Sequence, residues 1–233
     1  MITVKEQTES RRPLALRQWG AWNWLLKKCA ASRITPNQVS VLGMVFGIAS
    51  GALLCLTSTQ EMGGLLQRST MLGAVLLVVL RAACNIFDGV LAVETGRASR
   101  VGLLFNEIPD RISDVAILAG AGYAIGSHPT LGWLAALGAL ATAYIRIQIQ
   151  IAGAPADFSG PMAKPARMVL LCVCVGVLAL LPVDWWPTMH FGDGIGLIGA
   201  SLIIISAGSL ITVAHRLRHA GEELQSIQAD DSH

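Results

Sequence analysis

Asn85, Asp88, Asn106, Glu107, Asp110 and Asp114 are the residues of this 233-residue chain whose types and spacing can do chemistry. They lie inside sequence that is otherwise apolar enough to cross a membrane. An ionisable group at bilayer depth costs on the order of 2.5–3.5 kcal/mol on insertion scales, so such groups persist mainly where function or pairing requires them. On one helix, Arg81, Asn85, Asp88 and Ala92 would follow at steps of three and four and share a face. On the next, Glu107, Asp110 and Asp114 follow at i, i+3 and i+7, with Asn106 at the edge. Two such faces opposed gather oxygen donors only, beside the cations Arg81 and Arg111. A donor set without His or Cys selects Mg2+, Mn2+ or Ca2+ over zinc or copper. The competing reading is an ion-pair network, Arg81 and Arg111 neutralising Asp88 and Asp110, that only sets helix register. It accounts for the charges but not for the two asparagines and Gly89 beside them.

A second cluster is basic. Arg146 falls in the fourth apolar segment, and Gly160-Pro-Met-Ala-Lys164-Pro-Ala-Arg167 opens the fifth. Lys164 and Arg167 are three apart at a helix start, where backbone N–H groups point outward, and together these favour an anion. The plainer reading of Lys164 and Arg167 is anchoring to lipid headgroups. His215 and His219 stand at i, i+4 in a basic tail and read as solvent-facing rather than as a metal pair. The five cysteines show no ligand spacing and read as small buried apolar residues.

These clusters need helices in a bilayer to position them. The chain is 53% hydrophobic and 14% charged, where a soluble domain carries about 25% charged residues. Its mean hydropathy is +0.58. The fold class is therefore all-α integral membrane, and the 24 glycines suit close helix packing. No cleavable signal peptide is visible. Residues 1–12 read as disordered, and 13–33 as an amphipathic, Trp-rich helix lying in the membrane interface. Six apolar segments follow, at about 38–57, 70–93, 103–126, 131–151, 164–183 and 195–214. They form one six-span domain over residues 34–218, and 219–233 reads as a polar, mobile tail. Lys5, Arg11, Arg12, Arg17, Lys27, Lys28 and Arg33 precede the first span, and Arg97, Arg100, Lys164, Arg167, Arg216 and Arg218 fall on the same side; Arg68 alone falls opposite. The positive-inside rule then puts both termini in the cytoplasm, in a multi-pass protein of the cytoplasmic (inner) membrane.

The series Asn85-x-x-Asp88-Gly89-x-x-Ala92, then Gly102-x-x-x-Asn106-x-x-x-Asp110, resembles the signature of the CDP-alcohol phosphotransferases. That signature reads Asp-x-x-Asp-Gly-x-x-Ala-Arg, eight residues, then Gly-x-x-x-Asp-x-x-x-Asp. Thr35-Pro36-Asn37-Gln38-Val39-Ser40 resembles the family's start of its first span. Asn85 and Asn106 replace aspartates, which resembles a bacterial subgroup with Asn at both positions and an Asn-Glu pair at the second, and Val93 replaces the arginine. The resemblance implies a membrane enzyme of phospholipid biosynthesis. It would move a phosphatidyl group from CDP-diacylglycerol, or a similar CDP-linked donor, to an alcohol and release CMP. It implies Mg2+ or Mn2+ held by Asn85, Asp88, Asn106, Glu107 and Asp110, with Asp88 and Asp110 catalytic and Asp110 the general base. Asn37, Ser40, Asp88, Gly89, Ala92 and Gly102 would bind CDP; Arg146, Lys164 and Arg167 would bind the acceptor, with glycerol 3-phosphate the first guess. Arg81, Arg111 and Asp114 would support the site. A homodimer is implied, and no nucleic-acid partner. Two rival readings remain: a silent liponucleotide- or lipid-binding member, and a divalent-metal transporter using the same oxygens.

Overall fold

The computed structural model describes residues 34–94, 96, 100–189 and 194–230. The expected disordered start and interfacial helix, 1–12 and 13–33, lie outside them. Among the described residues there are six long α-helices: α1 Pro36–Leu56, α2 Leu65–Glu94, α3 Arg100–Gly122, α4 Pro129–Ile151, α5 Lys164–Leu180 and α6 Leu197–Asp230. Two short strands, β1 Thr188–Met189 and β2 Ile195–Gly196, pair antiparallel between α5 and α6. Four helices, α1, α2, α4 and α6, are long and apolar enough to cross a membrane. The 17-residue α5 is short for a span, and α3 carries the acidic cluster. Large apolar side chains such as Leu42, Val45, Leu76 and Leu137 are exposed, as a lipid-facing surface requires.

The described chain divides into two compact units. The first joins residues 34–46 to Val79–Ser113. There α1 packs on α2 where Gly43 leaves room: a Cβ at Gly43 would stand 3.0 Å from that of Cys84. Val39, Phe87, Val90 and Leu91 form its apolar cluster. The second unit joins Gly47–Val78 to Asp114–His233. Its core is built from Leu54, Met71, Ile117, Leu118, Leu171, Ile198, Leu202 and Ile205, all nearly inaccessible.

Glycine permits the closest approach in that unit. A Cβ on Gly51 would come within 2.2 Å of the Ala116 carbonyl oxygen, and Gly120 faces the Gly51 backbone in return. α1 and α3 thus touch backbone to backbone, the contact small residues allow in a membrane. Gly51→Val forces these helices apart and is expected to cost about 2 kcal/mol or more. A lower thermal midpoint of the detergent-solubilised chain would register it, and an unchanged midpoint would refute the contact.

Two element ends differ from the sequence expectation. α2 begins at Leu65, five residues early, because Arg68 is held inside the fold: its Nε donates to the Gly63 carbonyl and its Nη1 to that of Ala179. The tail expected to be mobile is helical through Asp230. Ala220 and Leu224 explain the extension, since they pack on Ile149 and Ala154. At about 1.5 Å per residue the 34-residue α6 is about 51 Å long, well beyond a hydrocarbon core of about 30 Å.

Candidate functional site

The first unit's polar site starts from how α1 begins. Thr35 Oγ1 accepts from the Gln38 N–H at 3.3 Å, and Gln38 Oε1 accepts from the Thr35 N–H at 2.9 Å. This reciprocal capping box, with Pro36 in the first turn, fixes the helix start and with it half-buried Asn37 and buried Ser40. The Ser40 hydroxyl hydrogen-bonds Asp88 Oδ2 on α2. Asp88 is only 2% exposed, against the apolar cluster of Val39, Phe87, Val90 and Leu91.

Seven residues before Asp88, Arg81 is also buried. Its Nη2 donates to Asp110 Oδ1 at 3.0 Å and to the Asp110 carbonyl at 3.2 Å, so α2 holds both the side chain and the backbone of that residue on α3. Asp110 Oδ2 lies 4.0 Å from Arg111 Nη2, which sits closer, at 3.3 Å, to Glu107 Oε2. Glu107 is 40% exposed at its side chain. Pro109 lies inside α3 between these acids and removes one rung of the helix ladder.

The structure therefore brings together Ser40 with Asp88, Arg81 with Asp110, and Glu107 with Arg111. Asn85, Gly89, Ala92, Gly102 and Asn106 are half-buried on the same two helices. Among the described residues no side-chain hydrogen bond engages the amides of Asn85 or Asn106, while no three His, Cys, Asp or Glu side chains converge as metal ligands. Two of the four signature positions are amides, so a cluster rich in carboxylates is not what this chain offers. The donor set still fits a hard divalent cation: two buried carboxylates and two half-buried amides, all supplying oxygen.

In the second unit Arg167 does not stand open at its helix start. Arg167 is 1% exposed. Its Nη1 donates to Thr142 Oγ1 at 3.0 Å and to the Met162 carbonyl at 2.8 Å, and its Nη2 lies 3.9 Å from Asp114 Oδ2. Headgroup anchoring is thereby overturned for Arg167, and Asp114 pairs with Arg167. Lys164 is half-buried, and Arg146 stacks over Phe158 with its guanidinium carbon 5.4 Å from the ring centroid.

By sequence Arg216 counts only as a positive-inside charge. It is buried, donating from Nε to the Ser159 carbonyl at 2.9 Å and from Nη1 to the Thr142 carbonyl at 2.8 Å. Two guanidiniums thus meet at one α4 residue, Thr142. A signal for it exists in the stripe Gly208, Thr212, Arg216, Ala220, at steps of four on α6. Small residues mark the packed face, and Arg216 lies on it.

These features define a multi-pass membrane protein with an oxygen-donor site on successive helices and a separate pair of buried arginines. The pattern of the CDP-alcohol phosphatidyltransferases matches residues 33–213, and the chain belongs to that family. It is a membrane enzyme of that transferase class. Among its relatives is the archaetidylinositol phosphate synthase of Pyrococcus horikoshii, 26% identical over 68% of this chain and 82% of that one. The phosphatidylinositol phosphate synthase of Mycobacterium tuberculosis is 27% identical over 79% of this chain and 78% of its own. The crystal structure of the M. tuberculosis enzyme with CDP-DAG bound superposes with a TM-score of 0.67 at 21% identity, covering 85% of this chain and 92% of that one. Its complex with manganese and citrate gives 0.65 at 22% identity, over 86% and 87%. These likenesses establish the fold.

Proposed function

We propose that this protein transfers the phosphatidyl group of CDP-diacylglycerol to the hydroxyl of a phosphorylated polyol, releasing CMP. The observation that carries the donor half is Asp88 and Asp110, buried on successive helices at the family's spacing beside the half-buried amides of Asn85 and Asn106. Asn85, Asp88, Asn106 and Asp110 would hold a divalent cation, with Glu107 at the edge. When bound, Mg2+ or Mn2+ would neutralise the donor's diphosphate and the departing CMP; the manganese and CDP-DAG of the M. tuberculosis structures support this reading. Ser40 fixes the orientation of Asp88. Asp110, held by Arg81, accepts the proton of the acceptor hydroxyl. The hydroxyl oxygen attacks the phosphorus bearing the lipid, and the bond from that phosphorus to the bridging oxygen of CMP breaks. Asn37, Gly89, Ala92 and Gly102 line the cytidine side in this reading.

The acceptor half rests on Arg167 and Arg216 converging on Thr142, with Arg146 and Lys164 nearby in the sequence. Buried guanidiniums of this kind suit a phosphate. Glycerol 3-phosphate follows from the basic cluster alone, and the two inositol phosphate synthases favour an inositol phosphate. CMP release from CDP-diacylglycerol with Mn2+, measured across both phosphates and their unphosphorylated alcohols, tests the proposal. Release with a phosphate and not with its parent alcohol supports it; release at background with every acceptor overturns it. Six spans, a homodimer and a cytoplasmic-membrane location with both termini cytoplasmic complete the reading, supported by the family and by the distribution of Lys and Arg.

The two amides make a separate prediction. Ligand charge sets affinity at an oxygen site, so Asn85→Asp together with Asn106→Asp is expected to lower the Mn2+ concentration for half-maximal activity about tenfold. An unchanged metal titration would remove both positions from the metal site.

A further inference from the structure

The connection from α4 to α5, residues 155–163, is seated on α6 in two chemically different halves. The second half is apolar and fixed. A Cβ on Gly160, whose φ is +111°, would meet Thr212 Cγ2 at 2.5 Å, and one on Gly208 would meet Met162 Cγ at 2.4 Å. The Met162 N–H donates to Thr212 Oγ1 at 3.0 Å. Nothing in this half titrates. The first half is polar. Asp157 Oδ1 accepts from the Ser159 N–H at 2.7 Å, and its Oδ2, which accepts no hydrogen bond among the described residues, lies 3.7 Å from His219 Nδ1. The Asp157 side chain is 9% exposed and that of His219 52%. The Ser159 hydroxyl touches His215 Nδ1 at 3.2 Å, and the rings of His215 and His219 stack with centroids 6.4 Å apart.

We propose that residues 155–159 form a strap that protonation of His219 fastens to the C-terminal arm of α6, and that deprotonation loosens. Histidine is the side chain that changes charge between pH 5 and 8. The sign follows from its neighbours. Burial works against the Asp157 carboxylate, but hydrogen bonding from Ser159 and the cations Arg216 and His219 outweigh it and hold its pKa below the ordinary carboxylate value. Asp157 therefore stays anionic wherever histidine titrates. A protonated His219 is a cation facing that carboxylate, and the attraction is lost with the proton. The other charges facing this contact are Arg216 and His215 on α6 and Arg146 on α4, with Arg218, Glu222 and Glu223 nearby along α6 and Lys164 opening α5. The cations among them oppose the fastening, and Asp157 is the carboxylate through which His219 reaches the strap. The contact between Ser159 and His215 survives either state, because a hydroxyl can donate to a neutral ring nitrogen or accept from a protonated one. Phe158, which covers Arg146, rides on the titratable half. Among the described residues no three ligating side chains gather here as a metal site, so the histidine pair reads as a proton-sensitive contact.

Two amides report the two halves: Ser159 N–H, bonded to Asp157, and Met162 N–H, bonded to Thr212. Hydrogen exchange of the full chain in lipid nanodiscs at pH 6 and pH 8, normalised to an unstructured peptide of residues 152–166, reads both. The Ser159 amide is expected to open about threefold more at pH 8, the scale of an exposed ion pair, while Met162 stays constant. His219→Gln and Asp157→Asn are expected to abolish the pH difference, and His215→Gln to preserve it. A constant Met162 amide in each variant shows that the chain remains folded. The proposal is overturned by a Ser159 amide indifferent to pH, by a difference that survives His219→Gln, or by Met162 opening in parallel. It stands or falls independently of the reaction proposed above.

Discussion

Asp110→Asn is expected to fold like the wild type and to release CMP at least about a thousandfold more slowly, within the range that general-base catalysis contributes. The fold should survive because of what Arg81 keeps. An asparagine offers Oδ1 to Arg81 Nη2 in place of the carboxylate oxygen, and the Asp110 carbonyl still accepts at 3.2 Å. What disappears is an atom able to take the acceptor's proton. Asp110→Ala is a different experiment, since it takes the carboxylate away from the buried Arg81 guanidinium and adds a folding cost of about 3–5 kcal/mol. A comparison of the two separates chemistry from stability. Wild-type CMP release by Asp110→Asn, with the thermal midpoint unchanged, would remove Asp110 from the reaction and leave the ion-pair network as its only role.

That the network and the chemistry share Asp110 explains why the sequence left both readings open. Spacing along a helix shows which residues share a face, and Arg81, Asn85 and Asp88 do. It does not show which of several acids a given arginine takes. Arg81 takes Asp110, Arg111 takes Glu107, and Asp88 receives a hydroxyl from Ser40. The apolar runs made α1, α2 and α4 legible within a few residues, because a bilayer enforces length and composition together. The end of α6 was not legible in that way. Its extension to Asp230 depends on Ala220 and Leu224 finding Ile149 and Ala154, contacts some seventy residues apart in sequence. Arg216 was missed for the related reason that positive-inside counting treats every cation near a span end as solvated. A side chain 5% exposed and bonded to two carbonyls is not. Long-range partners decide these cases, and no local pattern encodes them.

Arg167 allows the structural and functional roles of a buried cation to be told apart. Arg167→Met is expected to destabilise the chain by about 3–5 kcal/mol, since Asp114 would remain buried at 1% exposure after losing the Arg167 guanidinium. It should therefore express poorly, and any loss of activity would be uninformative by itself. Replacing both members, Arg167→Met with Asp114→Leu, removes the uncompensated charge, and such apolar replacements are often neutral in stability. The double variant should recover the wild-type thermal midpoint. If Arg167 serves only to hold α5 against α4 through Thr142, its KM for a polyol phosphate will return to the wild-type value along with the fold. If the guanidinium binds the acceptor's phosphate, the fold will recover while that KM stays raised by about tenfold to a hundredfold, the loss of a charge-assisted hydrogen bond. The KM for CDP-diacylglycerol should remain unchanged in either case. The expected result is the second. A stable double variant with a wild-type acceptor KM would confine Arg167 to architecture and would leave Arg216 as the buried guanidinium to test next.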